Sequence, residues 1–99
     1  MIYHKNLTRK DLLKYGWKKL LMMAASEFSR ATSLSKNGGG KELRSCLMRA
    51  KELFSVLETD PSIPTDHGLQ LQKLARKMID PFKADPKSLY NKSMRLSSV

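Results

Sequence analysis

The chain has 99 residues, 40% apolar and 28% charged, which suits a single domain over residues 1–99 with one modest core. Nineteen Lys and Arg against nine Asp and Glu leave a net charge of +10, a balance that favours an acidic partner: nucleic acid, an anionic membrane surface or an acidic protein. One cysteine, Cys46, excludes an internal disulfide and fits a reducing compartment.

The charge is carried by the two ends, +5 over residues 1–35 and +4 over 61–99, with +1 between them. Residues 20–25, LLMMAA, make an apolar run of six behind Lys18 and Lys19. A spanning helix needs about 20 such residues and a signal-peptide core roughly 7–15. Neither a membrane span nor secretion is expected, and a cytoplasmic location is.

After a short leader, Thr8 opens "TRKD", a Thr with Asp three residues on, which is a capping-box pattern. The spacing predicts one helix over residues 9–36. At 100° per residue, Leu13, Leu20, Ala24 and Ala31 share a face with Trp17 and Phe28, widened by Leu12, Met23 and Leu34. Leu21 and Ala25 fall at the boundary. Lys14, Lys18, Lys19, Ser26, Ser29 and Ser33 point away, and so do Tyr15 and Met22. That exposed Met–Tyr pair among lysines is a docking candidate, since Met adapts to varied apolar partners. Gly16 marks a bend or a late helix start.

"NGGG", residues 37–40, ends that helix with residues that tolerate a positive φ. It lacks the strand–loop–helix context of a phosphate-binding loop. A second helix is predicted over 41–58, where Leu43, Cys46, Leu47, Ala50, Leu53, Phe54 and Leu57 recur at three- and four-residue steps. Cys46 is thereby a core hydrophobe, and the wide stripe implies two neighbouring helices. Glu52 and Glu58 fall on the outer face with Arg44 and Lys51, as solvated carboxylates. The proline-containing loop over 59–68 is too long for a helix-turn-helix.

Thr65 or Asp66 should cap a third helix over 67–80 that buries Leu71, Leu74, Ala75 and Met78. Lys73, Arg76 and Lys77 face outward, with Ile79 at an edge. His67 reads as a capping or surface residue, with no second metal ligand at a recognisable spacing. Pro81 ends the helix. Asp85 then caps a short fourth helix over 86–95, with Pro86 at its first position and Leu89, Tyr90, Met94 and Leu96 toward the bundle. The fold class is all-α: an antiparallel three- to four-helix bundle with a short C-terminal helix, which leaves part of an interhelical groove open.

Three stretches, "KKLLMMAASEFSRATSL", "LMRAKELFSVL" (residues 47–57) and "LARKMIDPFKADPKSL" (residues 74–89), resemble the first, second and third core helices of the flagellin export chaperones. They cover about three quarters of the chain. The resemblance implies a four-helix bundle that wraps an amphipathic client segment and blocks premature polymerisation. The chain departs from that family in placing Ala24 and Ala25 where an aromatic–acidic pair is usual, in its short fourth helix and in its stronger positive charge.

Two functions follow as expectations. The first is a basic helical protein-binding module, an export-type chaperone for an amphipathic client or acidic protein, with Tyr15, Met22, Ile79, Tyr90 and Met94 as contacts. The second is non-sequence-specific nucleic-acid binding through Lys14, Lys18, Lys19, Lys73, Arg76 and Lys77. No nucleophile–base pair, metal cluster or phosphate loop is seen, so no enzymatic activity, catalytic residue, cofactor or metal is expected. Neither the identity of a client nor the oligomeric state is encoded in these patterns.

Overall fold

Thr8 and Asp11 close a complete capping box. The Asp11 N–H donates to Thr8 Oγ1 (3.2 Å), and the Thr8 N–H (3.0 Å) and hydroxyl (2.9 Å) donate to Asp11 Oδ2. These bonds, the backbone one first, hold the Asp11 carboxyl below the usual aspartate range. The cap's contribution is therefore present above the ordinary Asp pKa and is lost as pH falls through the lowered value.

The computed structural model describes residues 8–36, 38, 40–60, 63–78, 80, 83 and 85–97. Over these residues the chain forms five helices and no strand: α1 (Arg9–Leu13), α2 (Trp17–Lys36), α3 (Gly40–Leu57), α4 (Thr65–Lys77) and α5 (Pro86–Ser97). The all-α bundle with a short C-terminal helix is the fold the periodicity predicts.

The expected single helix over 9–36 is two helices. Gly16 breaks it at φ +84°, a left-handed conformation that L side chains rarely adopt. The break changes the helical phase, so Leu12 is fully buried while Leu13, expected in the core, is 36% exposed. An alanine Cβ at residue 16 would meet nothing within 4 Å, so the cost of Gly16→Ala is backbone strain alone. We expect a loss of about 1–2 kcal/mol, read as a lower denaturant midpoint at unchanged m-value.

α2 is the central helix. Its most extensive contacts are with α3 on one side and α5 on the other. Two neighbours explain why Leu21 and Ala25 are buried rather than at the boundary. α3 carries the buried residues its pattern predicts, together with Val56, while Leu43 is half-buried. It also meets α1 and α4.

α4 begins two residues earlier than predicted. Pro64 takes the N-cap position at φ −58° without a side-chain cap bond, so Thr65 and Asp66 lie in the first turn. The helix ends at Lys77, short of residue 80, because Met78 turns its N–H to the carbonyls of Ala75 and Arg76 and buries its side chain. His67 is neither cap nor free surface. It is half-buried, with its ring 5.3 Å from that of Trp17. α5 starts as predicted: Asp85 Oδ1 accepts from the Lys87 N–H (3.3 Å) and Pro86 is the first helical residue. It runs two residues beyond the expected end. Leu89, Ser93 and Leu96 are its buried edge.

Candidate functional site

The pairing of α5 with α2 brings together residues from distant parts of the sequence. Tyr15 comes from the turn before α2 and Met22 from the outer side of α2. Tyr90 and Met94, one turn apart, come from α5. All four line one open trough of about 1020 Å³, whose walls also include Trp17, Met23 and Ala25. Met22 is 52% exposed, Tyr15 43% and Met94 36%, so the trough presents apolar surface to solvent. Tyr90 is half-buried and packs on the core. Four of the five expected contact residues therefore form a single surface. The fifth, Ile79, lies outside the described residues.

The rim is positive. Lys18, Lys19 and Arg30 line the trough, and among the described residues no Asp or Glu does. Lys19 Nζ sits 5.2 Å from the centre of the Tyr15 ring and Lys18 Nζ 5.6 Å from that of Trp17. Such cation–π contacts contribute about 0.5–1 kcal/mol at exposed positions. They lay the lysine stems along aromatic surface and keep the charges at the trough's edge.

The lysines expected to contact phosphates fall into two groups. Lys14, Lys18 and Lys19 are exposed near the start of α2. Lys73, Arg76 and Lys77 are exposed on α4, where Lys73 and Lys77 line a cleft against α5, and Arg76 and Lys77 line a neighbouring depression with Lys83, Asp80 and Asp85.

A charged cluster in the α2–α3 seam was not expected. Glu27 is buried on α2. Its carboxylate accepts from Arg49 Nε of α3 through Oε2 and from Arg30 Nη1 (2.9 Å) through Oε1. Arg49 Nη2 also reaches Cys46 Sγ at 3.3 Å. A signal for Glu27 exists in the sequence: it lies three residues after Ala24 and four before Ala31, on the apolar face. Burial, then the Glu27 charge, pushes the Cys46 thiol pKa up, the opposite of what a reactive thiol needs. Among the described residues, no group of three or more His, Cys, Asp or Glu could hold a metal ion, and no helix is long and apolar enough to cross a membrane.

No family model matches the chain, and neither a curated protein nor a solved structure does.

Proposed function

We propose that the protein is a small helical binding module, an export-type chaperone in its mode of action, that seats an acidic amphipathic segment in the α2–α5 trough. The observation that carries this reading is the meeting of Tyr15, Met22, Tyr90 and Met94 on one surface rimmed by Lys18, Lys19 and Arg30 without a carboxylate. The occupant this chemistry fits is a helix with an apolar stripe at i, i+4 spacing flanked by Asp or Glu. The methionines adapt to the stripe, Tyr15 and Tyr90 supply rigid contact area, and the lysines meet the flanking carboxylates. The module works without catalysis, in a reducing compartment such as the cytoplasm.

Trp17 lines the trough and is the only tryptophan in the chain, so its emission reports occupancy. Titration with a Leu-striped, Glu-flanked peptide should saturate at one peptide per chain and shift that emission. Met22→Asp or Met94→Asp should each weaken binding by about tenfold or more, equivalent to roughly 1.4 kcal/mol, with helical circular dichroism unchanged. A Lys-flanked peptide should bind more weakly. Equal affinity in the wild type and both variants would refute the reading. So would self-association that Met22→Asp abolishes, since a second copy would then be the occupant.

A further inference from the structure

The trough uses one side of α5. The other side faces α4, and four cations converge there: Lys73 and Lys77 from α4, Lys92 and Arg95 from α5. They surround a cleft of about 380 Å³ that also includes Leu74, Leu96 and Gln70, and among the described residues no Asp or Glu lines it. Lys73 and Lys77 share a face by their i, i+4 spacing, an arrangement that costs stability for like charges. The approach of Lys77 to Lys92, within hydrogen-bonding range, together with its charge, holds the Lys92 pKa below the usual lysine value. Lys73, Lys77 and Lys92, gathered from two helices, set up a local positive field, and an anion that bridges them relieves their repulsion.

The cleft differs from the trough in what it lacks. Its apolar residues, Leu74 and Leu96, are buried, so it offers an apolar client nothing to grip. Among the described residues, no aromatic ring lines it for a base to stack on. Recognition there is by charge and by donors alone. Linked phosphates suit three such lysines, because each group brings full negative charge and several acceptor oxygens within a bond or two of the next.

We propose that the α4–α5 cleft binds a chain of linked phosphates, a phosphoanhydride or a nucleic-acid backbone, through Lys73, Lys77 and Lys92. This site is independent of the trough and of the client proposed for it.

The test uses the whole chain at low salt, with inorganic tripolyphosphate and a short mixed-sequence DNA duplex as parallel probes. Tripolyphosphate should bind saturably, and the double variant Lys77→Met/Lys92→Met should bind it at least tenfold more weakly. Removing the same charge at two exposed lysines elsewhere, Lys10→Met/Lys36→Met, should leave binding within about twofold. If the physiological source is a nucleic-acid backbone, the duplex binds too. Its log–log salt slope is then roughly −3 for three contacts, and the double variant reduces it by about two. Binding of tripolyphosphate alone assigns the cleft to free oligophosphates. Failure of both probes to bind, or equal loss in the two double variants, overturns the proposal. So does equally tight binding of polyglutamate, which would show a cleft blind to phosphate. None of these outcomes touches the trough, which is read through Trp17.

Discussion

Phe28→Ala is expected to cost about 3–5 kcal/mol. Phe28 is fully buried on α2, and its ring lies 6.1 Å from that of Phe54 on α3, tilted by 33°. The substitution removes the apolar transfer energy of a whole ring, leaves a cavity in the seam of the two longest helices, and loses the ring–ring contact. Domains of this size have total stabilities of about 5–15 kcal/mol, so the loss is a large share of what holds the protein folded. Guanidinium unfolding should show it as a lower midpoint. A cycle with Phe54→Leu should assign about 0.5–1.5 kcal/mol to the ring pair. A Phe28→Ala cost under about 1 kcal/mol would mean that this seam is not the centre of the core.

Arg49→Met is the second large effect, about 2–4 kcal/mol of destabilisation. The Glu27 side chain is 8% exposed, so its carboxylate has exchanged water for Arg49 and Arg30. Removing Arg49 leaves a buried charge whose remaining ion-pair partner among the described residues is Arg30, which is 65% exposed and well screened. Breaking a buried pair from one side costs about 3–5 kcal/mol, reduced here because Arg49 is itself 29% exposed. Most of that cost belongs to the stranded carboxylate. The double variant Glu27→Leu/Arg49→Met should therefore recover the greater part of the loss, since apolar residues of similar volume replace buried ion pairs nearly neutrally. If the double variant is as unstable as Arg49→Met alone, the arginine's packing matters rather than its charge.

The helices were legible wherever a residue's surroundings depend on its own helix. In α3, Cys46, Leu47, Ala50, Leu53, Phe54 and Leu57 are buried as their spacing predicts. Met22 is exposed as predicted, because the outer side of a helix is set by its inner one; Tyr15 is exposed too, but from the turn before α2. Features that depend on a neighbour were hidden. Leu21 and Ala25 are buried because α5 covers a second flank of α2. Gly16 was recognisable as a break, but the phase change that exposes Leu13, while Leu12 stays buried as expected, follows from its φ. Tyr90 and Met94 could be picked out singly, but only the pairing of α5 with α2 sets them beside Tyr15 and Met22. Lys92 and Arg95 drew no notice until α4 brought Lys73 and Lys77 against them. The trough and the cleft are products of helix adjacency.

That adjacency also orders events in time. α2 and α3 are joined by the short linker of residues 37–39, so their seam closes a small loop at little entropic cost. The meeting of α2 with α5 encloses all of α3 and α4 and carries the larger loop-closure cost. During synthesis, the flank of α2 that packs on α5 stays wet until α5 has been made. The α2–α5 trough is completed after the α2–α3 seam, so under the proposed reading a nascent chain gains its client surface only once α5 has packed.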